Sequence, residues 1–205
     1  MSTPERAPAQ AGPTLRPART EATRHKLFAA SMEIIGERGP HSVTVEEIAA
    51  AAGVSKGSVY YNFGSKSEMI GQLLRFGGDN LMDRLGRLAD RPDPREALAA
   101  MVGEALDFLG EYPSFAQLWV SEMWHSASEW RPTLSRMRGE VIDLVRAAVT
   151  RIDPSGPDED LDTLATAVFG ATLALGRDRH SYHPERSRDA CVRAVMRSVA
   201  PAARP

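Results

Sequence analysis

The sequence predicts an all-α protein, with a small N-terminal unit of three helices followed by a larger unit of six. Three observations support this fold class. No segment alternates apolar and polar residues as a half-buried strand does. Helix-start signals recur along the chain, as Ser, Thr or Asp followed by Pro or, three residues later, by Glu. The 205 residues, 42% of them hydrophobic, suffice to bury the core of one or two small domains.

The first segment of the chain has the composition of a disordered arm. Residues 1–19 are rich in Pro, Ala and Arg and hold few large apolar side chains. An amphipathic helix is predicted over residues 21–38, where apolar side chains recur at helical spacing until Gly39 and Pro40 end the pattern. We expect this helix to pack across the next two as their scaffold.

Two short helices joined by a tight turn are predicted within residues 44–66. Thr44 and Glu47 have the spacing of a capping box, so the first of these helices should begin at Val45. Gly53 ends it at a position that favours a positive φ.

Ser55 can cap the second short helix, which is about two turns long. Ser65 and Glu68 then repeat the capping-box spacing and begin a third, longer helix. Two short helices on a tight turn form the helix-turn-helix arrangement, whose second helix enters the major groove of DNA. The sequence therefore predicts a DNA-binding domain over residues 20–66. The plain alternative is a short amphipathic hairpin whose tyrosines have no function.

The exposed face of the second short helix is unusual for a surface helix. It carries Gly57, Ser58, Tyr60 and Tyr61, with Lys56 on its flank. A glycine inside a helix costs about 1 kcal/mol relative to alanine. A backbone that must approach another molecule closely would explain that cost.

These residues resemble the TetR family of bacterial transcriptional regulators. The resemblance covers residues 20–70. The family's succession of apolar, small and aromatic positions is present here as Thr44, Ile48-Ala49, Ala52-Gly53-Val54-Ser55, Gly57-Ser58, Tyr60, Phe63 and Ser65-Lys66.

By position, the resemblance implies which side chains contact DNA. Phosphate contacts fall to Thr44, Tyr60 and Lys66. Base or groove contacts fall to Lys56, Gly57, Ser58 and Tyr61. The expected set also includes Ser55 and Asn62, although the family often has histidine at position 62. The arginines of the N-terminal arm would either reach into a minor groove or belong to a plain tail.

The larger unit, residues 67–205, is predicted to be helical throughout. The helix that starts at Ser65 should continue to about Leu85, with Gly77 and Gly78 as a place where it can bend. It would link the DNA-binding domain to everything that follows. Five further helices are expected at residues 94–110, 113–124, 132–152, 160–176 and 184–200.

Aromatic and methionine side chains are concentrated in the first part of this larger unit. All three tryptophans of the chain lie within residues 119–130. A mostly apolar pocket is what a small-molecule site requires, and the TetR resemblance implies such a site here, although core packing alone could also explain the pattern. Residues 117–130 also resemble the sensor domains of betaine-pathway repressors, whose tryptophan faces would hold a cation. The candidate ligand-binding residues are Met101, Phe108, Phe115, Trp119, Met123, Trp130 and Phe169.

The last two helices are predicted to build a dimer interface. The first of them is apolar on more than one side and contains small residues that let helices approach closely, as in a four-helix bundle. The alternative is burial inside a monomeric core. The candidate interface residues are Leu164, Val168, Leu173, Val192 and Val195.

Other classes of function find little support in the sequence. No catalytic motif, phosphate loop or cofactor motif is present, and His180 and His183 lack a well-spaced third metal ligand. The lone Cys191, the lack of a signal peptide and the lack of a long apolar run suggest a cytoplasmic protein. We therefore expect a ligand-responsive regulator, most simply a repressor, that binds a palindromic operator as a homodimer and is released by a small organic effector. The alternatives are a regulator controlled by a protein partner and an all-helical enzyme.

Overall fold

Nine α-helices and no strand occur in the residues that the structure, a computed structural model, describes: 16–39, 41–125 and 128–199. The predicted all-α fold is confirmed. The helices are α1 (Arg16–Arg38), α2 (Val45–Ala51), α3 (Lys56–Phe63), α4 (Lys66–Ala89), α5 (Pro94–Glu111), α6 (Pro113–Trp124), α7 (Arg131–Ile152), α8 (Asp158–Ser181) and α9 (Arg188–Arg197). No described helix is long and apolar enough to cross a membrane.

The helix boundaries agree with the sequence predictions except at the two ends of the chain. Helix α1 begins at Arg16, so it includes residues 16–19, which were predicted to belong to the arm. Residues 1–15 of that arm lie outside the described residues. The first turn of α2 has the predicted capping box, and Ser65 caps α4 by accepting from the Glu68 backbone N–H at 3.1 Å.

Helix α8 is longer and α9 shorter than predicted. Three acidic residues fill the first turn of α8 and Arg179 and His180 its last turn, so both ends complement the helix dipole. The segment after residue 176 was predicted to be a loop because it is polar, but a helix with a solvated face tolerates it. Ser187 caps α9 through its hydroxyl, which accepts from the Ala190 backbone N–H at 3.2 Å, and this cap overrides the start signal of Pro184.

The N-terminal unit has its own apolar core beneath the two short helices. Leu27 of α1, Ile48 of α2 and Val59 of α3 are each no more than 1% exposed. Helix α1 packs on α2, as predicted, but α3 packs on α2 and α4 instead of on α1. Helix α1 also packs along α6 of the larger unit. Phe28 marks this second contact, with its ring centroid 6.4 Å from that of Phe115. The first helix therefore joins the two units as well as supporting the helix-turn-helix.

Helix α4 is the centre of the packing, and its adjacent glycines, Gly77 and Gly78, explain how closely its neighbours approach. It contacts α3, α5 and α7. A Cβ added to Gly77 would lie 2.5 Å from the Phe115 ring, and one added to Gly78 would lie 2.6 Å from the Met137 methyl carbon. The glycine pair, which was predicted as a place to bend, instead lies inside one continuous helix and admits two large side chains.

We expect Gly77→Ala to lower the free energy of unfolding by about 1–3 kcal/mol, because the fully buried Phe115 ring would have to move. Gly86 is the matched control, since a Cβ added there in the same helix meets nothing within 4 Å. Gly86→Ala should raise the free energy of unfolding by about 0.4–1 kcal/mol. Urea denaturation followed by circular dichroism measures both. Changes of the same sign in the two variants would contradict this account of the glycines.

Candidate nucleic-acid interface and effector site

The helix-turn-helix is held by hydrogen bonds among its own residues and by one from the end of α1. The Thr44 hydroxyl accepts from the Glu47 backbone N–H at 3.2 Å, and the Glu47 carboxylate accepts from the Thr44 backbone N–H at 2.8 Å. Arg38 at the end of α1 donates to the same carboxylate at 2.9 Å. Gly53 in the turn has φ 66°, a left-handed conformation that favours glycine. The turn is therefore fixed by local chemistry.

Hydrogen bonds to the Glu47 carboxylate also shift its ionisation. The backbone N–H of Thr44 has the largest effect, followed by the Arg38 guanidinium and the Thr44 hydroxyl, and together they lower the pKa of Glu47 to about 2. Each of these groups donates to the charged form of the carboxyl, which is why the pKa falls.

Two members of the predicted DNA-contacting set have partners within α3 itself. The Ser55 hydroxyl accepts from the Ser58 backbone N–H at 3.1 Å and caps the helix. The Asn62 amide donates to the Ser58 carbonyl at 2.6 Å. These bonds give Ser55 and Asn62 a structural function inside the helix.

The outer face of α3 carries side chains that the described residues leave largely exposed. Tyr61 is 89% exposed and Tyr60 is 44% exposed, whereas Val59 and Phe63 face the core. A Cβ on Gly57 would meet only the Ser55 hydroxyl oxygen, at 3.9 Å. No contact among the described residues therefore requires a glycine at position 57. A close approach by another molecule would explain a glycine there.

The two lysines of the predicted set differ in their surroundings. Lys56 forms an ion pair with Glu46 and lies 5.7 Å from the centre of the Tyr60 ring. The hydrogen bond between the two side chains raises the pKa of Lys56 and lowers that of Glu46. Lys66 is half-buried, and its ammonium donates to the His41 carbonyl at 3.4 Å. A DNA phosphate would compete with Glu46 for Lys56. Thr44, the remaining member of the set, is exposed at the N-terminus of α2.

The seven predicted ligand-binding residues do not form one site. Met101, Trp119 and Phe169 border a narrow apolar cavity of about 40 Å³ between α4, α5, α7 and α8. Met123 lines a separate surface groove between α6, α7 and α8, of about 390 Å³, and Phe169 borders this groove as well.

Phe108 and Phe115 do not border the cavity but belong to an aromatic cluster beside it. Their ring centroids are 5.6 Å apart, and Phe28 of α1 lies against Phe115. Phe115 also contacts Trp119, at 5.9 Å between ring centroids. This cluster therefore connects the wall of the cavity to the DNA-binding domain.

Trp130 lies at the junction with the DNA-binding domain and not in the cavity. Its indole N–H donates to the Ser67 carbonyl at 3.1 Å, and its ring stacks on His41 with the centroids 5.8 Å apart. Glu129 beside it accepts from the Ser67 hydroxyl at 2.6 Å. Trp119 and Trp130 thus lie in different places and do not form a shared cation cage. Local sequence pattern carries no signal for a partner some 60 residues away.

The predicted interface residues also fall into two groups, one buried within the single chain and one half-buried. Val168 and Val195 are 1% exposed within a single chain, and Val168 borders the apolar cavity. Leu164, Leu173 and Val192 are half-buried. The outward face of α8 consists of small or polar residues that are exposed in the single chain: Thr163, Thr166, Ala167, Gly170 and Ala174.

Comparison with known proteins places these features among bacterial regulators. Residues 27–73 match the family model described as bacterial regulatory proteins, tetR family. The HTH-type transcriptional repressor KstR2 of Rhodococcus jostii is 31% identical over 123 residues, which are 59% of this chain and 60% of that protein. The HTH-type transcriptional activator FasR of Mycolicibacterium smegmatis is 37% identical over 87 residues, 42% of this chain and 40% of that protein.

The matches therefore span less than two thirds of these curated relatives, whereas the fold extends over nearly the whole chain. The structure of the transcriptional regulator FadR from Bacillus subtilis, in complex with stearoyl-CoA, superposes with a TM-score of 0.75 at 18% identity. It covers 88% of this chain and 99% of that one. At this identity the likeness concerns the fold alone.

The lowered pKa of Glu47 makes the stability of the helix-turn-helix depend on pH. Its stabilising effect should be complete above pH 4.5 and should be lost as the pH falls towards about 2. In Glu47→Gln the unfolding temperature should fall less between about pH 5 and about pH 3 than in the native chain, because glutamine keeps a capping oxygen without titrating. Glu33→Gln is the control, since it removes an exposed carboxylate of α1 that has no ion pair among the described residues. An unchanged pH dependence in Glu47→Gln would contradict the assignment.

Proposed function

We propose that the chain is a ligand-responsive transcriptional regulator of the TetR family, because its residues 27–73 match that family's model and 123 residues are 31% identical to a repressor of this kind. We infer that it binds a palindromic operator as a homodimer and is released by a small organic effector, most simply as a repressor. The observation that carries the proposal is the outer face of α3. Within the described residues Tyr61 is 89% exposed and no contact requires a glycine at position 57, while Ser55 already caps the helix.

The proposed DNA contacts follow from what α3 leaves uncovered. Tyr61 and Gly57 would line the major groove, with the glycine allowing the helix backbone to approach the DNA. Lys56 would give up its ion pair with Glu46 and form one with a DNA phosphate. Thr44 and Lys66, at the starts of α2 and α4, would contact phosphates on either side.

A dimer is required because one helix of this length contacts only a few base pairs. Two copies related by a two-fold axis would place their recognition helices about 34 Å apart, or a somewhat larger span, on successive turns of the major groove. The exposed small residues of α8 offer a surface on which a second copy can approach closely.

The effector would act through α6, which touches both the cavity and the DNA-binding domain. Trp119 on this helix borders the cavity, while Phe115 packs against Phe28 of α1 and against Gly77 of α4. A ligand that displaces Trp119 therefore moves contacts that position α1 and α4. For the DNA affinity to fall a hundredfold, the ligand must favour the conformation released from DNA over the DNA-binding conformation by about 2.7 kcal/mol.

The test of DNA binding begins with selection of duplexes from a random pool. With a selected duplex, Tyr61→Ala should weaken binding while changing the free energy of unfolding by less than about 0.5 kcal/mol, because the side chain is 89% exposed. Tyr182→Ala is the matched control, since Tyr182 is 77% exposed far along the chain at the end of α8 and should leave DNA affinity unchanged. Fluorescence anisotropy gives the affinities.

In the same assay, Gly57→Ala tests whether the glycine is needed for DNA binding or for the stability of the fold. It should raise the free energy of unfolding by about 0.4–1 kcal/mol, since the added Cβ has open space. It should nevertheless weaken DNA binding, because that Cβ faces the groove. Failure to recover any preferred duplex, or native affinity in both Tyr61→Ala and Gly57→Ala, would overturn the proposal.

The dimer is tested with two arginine substitutions at glycines that have open space around them. A Cβ on Gly170 of α8 or on Gly139 of α7 meets nothing within 4 Å. Gly170→Arg should sediment as a monomer, because its side chain would enter the interface, whereas Gly139→Arg should remain dimeric. Circular dichroism verifies that both variants keep native helix content. A monomeric native chain, or a dimeric Gly170→Arg, would contradict the proposed interface.

A further inference from the structure

We propose that Glu129 and Trp130, in the connection between α6 and α7, are positioning residues for DNA binding, because they fix the half-site spacing that the dimer accepts. This inference rests on the proposed function, since it takes a DNA-binding dimer as its premise. It concerns the contacts that these two residues make with Ser67 and His41, which we call the junction clamp.

Both polar groups of Ser67 are bound from outside its own helix. The Ser67 carbonyl accepts from the Trp130 indole N–H at 3.1 Å, and the Ser67 hydroxyl donates to the Glu129 carboxylate at 2.6 Å. Ser67 lies in the first turn of α4, directly after the helix-turn-helix. Two adjacent residues of the α6–α7 connection therefore hold the place at which the chain leaves the DNA-reading helices.

The Trp130 ring is wedged between two elements and is only 4% exposed. The imidazole of His41, in the connection between α1 and α2, stacks on its face with an angle of 26° between the ring planes. The edge of the indole lies against α4, where a Cβ added to Gly71 would be 3.5 Å from the Trp130 Cδ1 atom. Ring stacking and a hydrogen bond both depend on orientation, so the indole fixes an angle as well as a distance.

Lys66 links these contacts to the proposed DNA contacts. It directly precedes Ser67, and its ammonium donates to the His41 carbonyl at 3.4 Å. Lys66 and Thr44 are both proposed to bind phosphates. They lie at the start of α4 and just before α2, which are the two segments that Trp130 holds. The clamp therefore positions the backbone that carries these phosphate contacts.

The clamp is connected to the proposed dimer interface through α7. Trp130 is the N-cap of this helix, and its carbonyl accepts from the Leu134 backbone N–H at 3.0 Å. Helix α7 packs on α4 and on α8, whose outward face is proposed to meet the second copy. A rotation of the helix-turn-helix relative to α7 would therefore change the distance between the two recognition helices. That distance determines which half-site spacing the dimer fits.

This geometry predicts what an altered spacing costs. If the half-sites are moved closer together or further apart, both recognition helices engage the DNA only when the clamp opens. Its hydrogen bonds then add to the cost of binding the wrong spacing. Because a hydrogen bond of this kind has a modest net strength, removing one should reduce the discrimination between spacings about two- to tenfold.

The experiment uses the full-length protein and a palindromic duplex recovered by selection. Further duplexes have one or two base pairs added to or removed from the spacer between the half-sites, and another contains a single half-site. Fluorescence anisotropy gives the affinities. For the native chain we expect a change of one base pair in the spacer to weaken binding about tenfold, as the loss of a matched base pair does.

Three variants each remove one hydrogen bond of the clamp: Ser67→Ala, Glu129→Ala and Trp130→Phe. In each, the ratio of affinities for the selected and the altered spacers should fall about two- to tenfold. Phenylalanine keeps a ring that can stack on His41 but has no N–H to donate. Ser67 and Glu129 are not buried, so their variants decide the question even where Trp130→Phe fails to fold.

The control separates the clamp from the effect of charge. Glu129→Ala removes a negative charge near the proposed phosphate contacts, which strengthens binding to all duplexes alike and leaves the ratio between spacers unchanged. Glu33→Ala removes an exposed carboxylate of α1 that has no ion pair among the described residues, and it should keep the native ratio. Affinity for the single half-site should stay within about twofold of the native value in Ser67→Ala, because no DNA contact is lost.

Several results would overturn this inference. These are a native chain that binds all spacers equally, native ratios in Ser67→Ala and Glu129→Ala, or a loss of half-site affinity in Ser67→Ala as large as its loss for the whole site. The last result would mean that the contact acts within one DNA-binding unit and not on the distance between two. Failure to select any duplex would instead contradict the proposed function itself, so the two failures are distinguishable.

Discussion

The close packing of Phe115 and Met137 against the glycine pair of α4 determines how the two units fit together. Without a Cβ at residues 77 and 78, Phe115 of α6 and Met137 of α7 can lie directly on the helix that begins beside the helix-turn-helix. Interiors packed at this density do not deform continuously but change between discrete arrangements. Any displacement of α6 is therefore transmitted to α4, and Phe28 transmits it to α1 as well.

The helix-turn-helix shows how a short helix can be made rigid without a large core. Each end of α2 and α3 is closed by a side chain or a glycine next to it in sequence, from Thr44 and Glu47 to Gly53 and Ser55. Since these local bonds hold the backbone, the outer residues are free to face solvent. Preorganisation of this kind reduces the entropy lost when a partner binds.

The sequence predicted most accurately the structural features that depend on neighbouring residues. The capping box of Thr44 and Glu47, the cap by Ser65, the positive φ of Gly53 and the helices up to Ile152 depend on neighbours a few residues apart, which a single sequence contains. It did not separate Trp130 from Trp119, because both are apolar aromatics in one segment and only the distant Ser67 and His41 distinguish their places.

Phe169 and Leu173 lie between the apolar cavity and the surface groove, and this wall has a kinetic consequence. In the described conformation the cavity, at about 40 Å³, is far below the volume of a ligand, so a ligand can enter only through a different, open conformation. If that species were about 1% of the molecules, the apparent Kd would be about a hundredfold weaker than the intrinsic one. Association would then level off with rising ligand concentration at the rate of opening, and a smaller side chain at position 169 would speed entry at the cost of a longer-lived open state.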